Sequence, residues 1–332
     1  MMNITIVGAG RMGEIYAQIV AQHPTARIHT IASRSMGSAT ALTDQYGGYP
    51  SDDISQAIAD GGSDAVIICS PTSTHLEYIS LAAKAGKPIL CEKPVDLSIE
   101  RVLACQSVLA ENPVTFAVGF NRRFDPAIDH LRQRVQRGDI GRLNMLLLTS
   151  RDPGPPPLEY LRHCGGYFCD STIHDIDLAC WITGELPLEV YTAATCMVDT
   201  AIGELGDADT AMTTLRMPSG LLVHINNSRR AVYGFDQRIE AFGDGGMLQT
   251  LNHTEQTVQH FSAASTHSQP PLQHFFLERY AESFRREVDD FIKAVQHGTD
   301  PCAGLEDGLN ALKIARTCQA SFELGRNLPF AD

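Results

Sequence analysis

Tryptophan is almost absent from this chain, with one in 332 residues, and aromatic residues reach only 7%. Positive charge is also scarce. Lys and Arg number 26 against 39 Asp and Glu, a formal net charge of −13. The basic residues are scattered apart from the pairs Arg122-Arg123, Arg229-Arg230 and Arg285-Arg286. A polyphosphate backbone needs clustered cations, so no nucleic-acid partner is expected. No apolar run approaches the length that crosses a bilayer, which excludes a helical membrane anchor. The N-terminus enters a strand-like run without a basic segment and cleavage site, so a cytoplasmic location is expected. The 9 cysteines include no CxxC, and Cys164, Cys169 and Cys180 lack zinc-finger-spaced partners. No metal and no disulfide framework are expected, and Cys69 and Cys91, in apolar runs, read as small buried hydrophobes.

A chain of 332 residues is long for one core, and two domains are the better expectation. Residues 1–120 alternate in the βα manner, with apolar runs at 4–7, 28–32, 65–69, 89–91 and 114–118. Helical periodicity fills the gaps at 12–22, 37–46, 74–85 and 98–111, and Thr74 to Glu77 has the form of a capping box. Gly86 should stop the helix that follows. Right-handed crossovers then give an α/β fold, a doubly wound parallel sheet of Rossmann type. From 121 to 332 the pattern changes. Helices are expected at 125–137, 169–183, 276–297 and 304–325, and strands at 143–150, 188–198, 209–217, 220–228, 237–242 and 256–261. Pro218-Ser219-Gly220 reads as a hairpin turn. Strand upon strand implies an α+β domain on a largely antiparallel open sheet, with the helix at 304–325 a candidate to pack back on the first domain.

The opening run places Gly8-Ala9-Gly10-Arg11-Met12-Gly13 between a strand and a helix. A pyrophosphate needs Gly8 for the tight turn, Gly10 for close backbone approach and Gly13 for helix–strand contact, with Arg11 and Met12 opening the helix. After the second strand comes Ser33-Arg34, with no carboxylate before Asp44. A free ribose 2′-hydroxyl wants an acid there, whereas a hydroxyl and a guanidinium suit a 2′-phosphate, so NADP is favoured over NAD. Ser70, Thr72 and His75 follow the strand at 65–69 and are expected on the same cofactor. Lys93 follows the fourth predicted strand, with Glu92 before it and Pro94 after. An amine at the carboxyl edge of the sheet lies where ligands bind, and Glu92 is a weaker candidate for a ribose hydroxyl. Asp170, His174 and Asp177 fall within about 60° of one face of an α-helix at 100° per residue. The apolar neighbours Ile173, Leu178 and Trp181 turn that face inward. His174 can take an alcohol proton near neutral pH, and a carboxylate beside it fixes its tautomer.

These motifs together resemble the glucose–fructose oxidoreductase/inositol dehydrogenase family. Further resembling stretches are Ser150-Arg151-Asp152-Pro153, Gly165-Gly166-Tyr167-Phe168, Asp207-x-Asp209-Thr210-Ala211, the run from Tyr233 to Arg238, and Phe276-Leu277-Glu278-Arg279-Tyr280, so coverage is essentially the whole chain. The resemblance implies that Lys93, Asp170 and His174 act together on the substrate, with Asp152, Asp177 and Tyr233 holding its other hydroxyls. It also implies a cis Lys93–Pro94 peptide, NAD as the usual cofactor, and a homotetramer built through the exposed face of the second-domain sheet. The chain departs from the family at Ser33-Arg34, where NAD-using members usually carry Asp. The expected activity is hydride transfer between a cyclic polyol, foremost myo-inositol, and a nicotinamide dinucleotide. The alternatives are an NADP(H)-dependent enzyme of a pyranose or another inositol isomer, or a non-catalytic dinucleotide sensor on the same scaffold.

Overall fold

Short β-branched runs in the first third of the chain become a parallel six-stranded sheet in the computed structural model, which describes residues 1–330. The strands are β1 (Met2–Val7), β2 (Ala26–Ala32), β3 (Tyr49–Ser51), β4 (Ala65–Ile68), β5 (Ile89–Glu92) and β6 (Phe116–Gly119). Their order, β3-β2-β1-β4-β5-β6, reverses between β1 and β4, the crevice where doubly wound sheets bind ligands. Ile4, Ile6, Val7, Ile67 and Ile68 are fully buried, as strands covered on both faces require. Helices Arg11–Gln22, Met36–Tyr46, His75–Lys84 and Ile99–Glu111 supply the crossovers. Two short elements had no sequence signal: β3, an edge strand with Tyr49 exposed, and the helix Ile54–Ala59. The capping box at Thr74 does not form. Residues Thr72–Thr74 coil into a 3₁₀ turn, and the Thr74 hydroxyl donates to Pro71 O at 2.8 Å instead. Gly86, at φ +67°, ends the next helix as expected.

The second unit carries a seven-stranded mixed sheet. Its strands are β7 (Leu143–Arg151), β8 (Glu189–Thr195), β9 (Thr210–Arg216), β10 (Leu222–Ser228), β11 (Asp236–Gly243), β12 (Gly246–Gln249) and β13 (Leu328–Pro329). They run in the order β12-β11-β7-β10-β9-β8-β13. Only β7 and β10 pair in parallel; the other neighbours are antiparallel. Pro218-Ser219-Gly220 makes the β9–β10 turn, with Met217 N donating to Leu221 O. Burial alternates along β7, β9 and β10, so one face is core and one is open. The helix Ile173–Thr183 packs on β7 and β10.

Two expectations are corrected. Residues 256–261 form no strand: only the isolated bridges Thr254–Leu272 and His260–Ser268 occur, and Val258 and Phe261 stay exposed because the run has no sheet neighbour. A continuous second domain over 121–332 also gives way. The first unit comprises Met1–Asn121 and Phe284–Leu312, and the second Arg122–Ser283 with the described part of Lys313–Asp332. Val118 N on β6 donates to Ala303 O, and Gly308 lies against Val95 and Val118, which ties the returning segment to the first sheet.

Candidate active site

Gly8 closes β1 at φ +112°, and a Cβ there would sit 2.7 Å from Cys69 O. A Cβ on Gly13 would fall 2.0 Å from Gly8 O. Both glycines are therefore dictated by contact between the turn and the helix it opens. The helix Arg11–Gln22 begins at Gly10 with no side-chain cap, and its N-terminus is the positive end of the helix dipole. This cradle, at the sheet's switch point, fits a dinucleotide pyrophosphate. Ser33 and the exposed Arg34 follow β2, and the Ser35 hydroxyl caps the next helix by accepting from Ser38 N at 3.2 Å. Ser70 and Thr72 are partly exposed just beyond β4.

Lys93 stands after β5, partly buried, with a cis peptide to Pro94. Two residues expected on the cofactor lie inside the unit instead. His75 is 1% exposed, its Nδ1 3.1 Å from Pro94 O and its Nε2 2.9 Å from Ser70 O. It ties the lysine loop to the loop after β4. Glu92 is 8% exposed. Its Oε1 accepts from the Tyr16 hydroxyl at 2.7 Å and its Oε2 from Lys93 N at 3.1 Å. Burial raises the Glu92 carboxyl above its ordinary range.

In the second unit, residues Phe168–Thr172 form a π-helical turn that runs into the helix Ile173–Thr183. Asp170 belongs to the wide turn and His174 to the first α turn. Asp170 is flanked on both oxygens. Tyr160 donates to Oδ1 at 2.7 Å, and the Arg229 guanidinium lies 3.3 Å from Oδ2, resting on the Tyr167 ring. Burial first, then Asp170, pushes the Tyr160 phenol well above its ordinary range. Asp152 follows β7, and burial raises its carboxyl to about 6 against the pull of Arg122 and Arg229. Tyr233 is half-exposed; its hydroxyl donates to Asp236 at 2.8 Å and accepts from Arg151 at 3.1 Å.

Asp177, expected on a substrate hydroxyl, is paired within the second unit. It is 3% exposed and receives Arg123 through both oxygens at 2.6–3.1 Å. A carboxylate buried this deeply is stable only when paired, and the pairing orients it into the fold. Asp175 is bound likewise, by Arg122 at 2.9 Å and by Asn227 at 2.8 Å. Sequence reasoning missed Tyr160, Arg122, Arg123 and Arg229. The arginines had a signal: their pairs follow β6 and β10, while the run 170–177 holds three aspartates that need cations.

Residues 2–120 match the oxidoreductase family with an NAD-binding Rossmann fold, and residues 128–249 match the GFO/IDH/MocA C-terminal domain. The chain belongs to this family. Its members act as NAD-binding oxidoreductases, and the doubly wound unit described above is their cofactor domain. Inositol 2-dehydrogenase of Rhizobium meliloti (strain 1021) is 40% identical over 327 residues, 98% of each chain. A crystal structure of a myo-inositol dehydrogenase from Corynebacterium glutamicum ATCC 13032 superposes with a TM-score of 0.96 at 37% identity, covering 100% of this chain and 99% of that one. The scyllo-inositol dehydrogenase from Lactobacillus casei, solved with NAD(H) and scyllo-inositol, gives 0.92 at 28% identity over 100% of both chains.

Proposed function

We propose that this chain reversibly oxidises a secondary alcohol of a cyclic polyol, with myo-inositol the leading substrate. The observation that carries the reading is the half-buried acceptor set of Asp152, Asp170 and His174, braced by Tyr160 and Arg229, in a family whose relatives at 40% identity include an inositol 2-dehydrogenase. Such a set suits an uncharged ligand whose hydroxyls are satisfied one by one, since each buried unsatisfied group costs roughly 1–3 kcal/mol. His174 takes the hydroxyl proton. Lys93 donates a hydrogen bond to the same oxygen and stabilises the developing alkoxide, and Asp170 orients the pair. A bound nicotinamide would supply the acceptor for the carbinol hydride. Gly8, Gly10, Arg11, Met12 and Gly13 would hold its pyrophosphate, and Ser70 and Thr72 would border it. A panel of inositols, pyranoses, sugar phosphates and linear alcohols, followed at the nicotinamide absorbance, tests the assignment. Inositols or a close cyclic relative should be best, and a sugar phosphate or linear alcohol as best substrate refutes it.

Two finer points belong to the same proposal. Ser33 and Arg34, with no acid before Asp44, favour a 2′-phosphate and hence NADP over NAD. Combining Ser33→Asp with Arg34→Ala should then move preference toward NAD. A wild-type kcat/KM already higher with NAD removes the point. The open face of the second sheet presents Met145, Tyr191, Met212, Leu222 and Phe242, all exposed, which supports assembly of four copies through it.

A further inference from the structure

Three buried side chains of the first unit meet at one phenol. Tyr16 Oη lies 2.7 Å from Glu92 Oε1 and 3.0 Å from Glu287 Oε2. Tyr16 is 0%, Glu287 2% and Glu92 8% exposed. A phenol has one hydrogen to give, so the second of these bonds needs a hydrogen from a carboxyl. Two features decide which carboxyl carries it. Glu92 already accepts Lys93 N at 3.1 Å through its other oxygen and feels the Lys93 charge. Glu287 Oε1 is buried with no hydrogen-bond partner, the costliest place for an anion. The groups facing Glu287 are acidic or neutral: Glu92 on β5, Tyr16 on the helix Arg11–Gln22, and Asp290 on its own helix. Cys69 and Cys91 add thiols held protonated by burial. The space is built for this chain of bonds, since a Cβ on Gly119 would come within 3.1 Å of Glu92 Oε2.

We propose that Glu287 is a protonated positioning residue for Lys93. Glu287 donates to Tyr16, Tyr16 donates to Glu92, and the Glu92 carboxylate holds the backbone N–H of Lys93. A residue almost two hundred positions away in sequence thus sets how firmly the lysine is presented (|i−j| is 271 from Tyr16 to Glu287). Burial, then Glu92, raises the Glu287 carboxyl well above its ordinary range, in keeping with the proton placed there. The functional consequence rests on the role of Lys93 proposed above; the protonation does not.

The test uses the full chain with Glu287→Gln, Glu287→Ala and Tyr16→Phe. A carboxyl whose folded value is raised contributes stability below its unfolded value of about 4.3 and loses it as pH rises toward the folded value. Gln keeps a neutral donor and has no proton to lose. The melting temperature of Glu287→Gln should therefore gain on wild type as pH rises from about 5 to about 8, the range above the unfolded value. The acetylation rate of Lys93 by acetic anhydride at fixed pH, read by mass spectrometry, should rise several-fold in Glu287→Ala and Tyr16→Phe and stay at the wild-type value in Glu287→Gln. Polyol turnover should fall about tenfold in the first two, the scale of a misplaced electrophile, with Gln near wild type. A Gln variant that loses ground to wild type with rising pH overturns the protonation. Unchanged Lys93 labelling in Tyr16→Phe, which serves where the Ala variant does not fold, overturns the positioning. Absence of polyol turnover in wild type would sink the substrate reading and leave the melting and labelling results to decide this one.

Discussion

Lys93 and His174 should fail differently from the residues that brace them. Either one changed to Ala is expected to lower turnover by a factor on the order of 10², the scale of a lost general base or oxyanion stabiliser, with dinucleotide binding and melting temperature retained. Turnover measured beside dinucleotide affinity checks this, and near-normal turnover in a folded variant removes that residue from the mechanism. Asp152 gives a second prediction at this scale. Burial lifts its carboxyl to about 6, so its contribution to stability is whole below its unfolded value of about 3.9 and is lost as pH rises through about 6. As an acceptor for a substrate hydroxyl it works in the ionised form. KM for the polyol should thus rise as pH falls through about 6, and Asp152→Asn should flatten that rise while raising KM throughout. A KM profile identical in the two proteins would detach Asp152 from the substrate.

At the scale of elements, the most informative departure is the π turn at Phe168–Thr172. Spacing of 3.6 residues per turn was legible in the run 169–183, but an extra residue in one turn leaves no composition signal. Asp177 anchors the helix Ile173–Thr183 to the turn at Asn121–Phe124 through Arg123, which also lies over the Trp181 ring at 5.6 Å. Both partners are almost fully buried, at 3% and 2% side-chain exposure. Arg123→Leu would strand a buried carboxylate, and chemical denaturation should show a loss of about 3–5 kcal/mol. The double change Arg123→Leu with Asp177→Leu should recover much of it. A single variant as stable as wild type would show that the pair is not what fixes the helix. The glycine fingerprint, by contrast, was fully legible. Gly8 and Gly13 are demanded by contacts inside one βα turn, whereas the arginines that satisfy the aspartates arrive from segments that follow strands far away in sequence.

For the whole molecule, the parallel unit could be read, apart from β3 and the helix Ile54–Ala59, because its βα steps are local. The second sheet could be read as mostly antiparallel, but not in its order, because the parallel pairing of β7 with β10 joins strands more than seventy residues apart (Asn226 bonds to Thr149, |i−j| 77). The helix at 304–325 was a candidate to return to the first unit, and its start up to Leu312 does so. The return of the preceding helix Ala281–His297 from Phe284 onward was hidden, since a helix records which face is apolar and not which sheet it covers. What the strands do record is an apolar face left exposed among the described residues. Met145 pairs with Leu222 on one side and Phe242 on the other, and all three are exposed, at 43%, 46% and 40%. Alternation requires one face of an antiparallel sheet to be polar when it meets water, so an apolar stripe there favours a second copy. Placing charge at its centre should break the assembly without touching the folded chain. Sedimentation of wild type should give a tetramer, and Met145→Lys with Phe242→Lys a smaller species with unchanged far-ultraviolet dichroism. A monomeric wild type at micromolar concentration, or a double variant that sediments as before, would show that this face is not the contact.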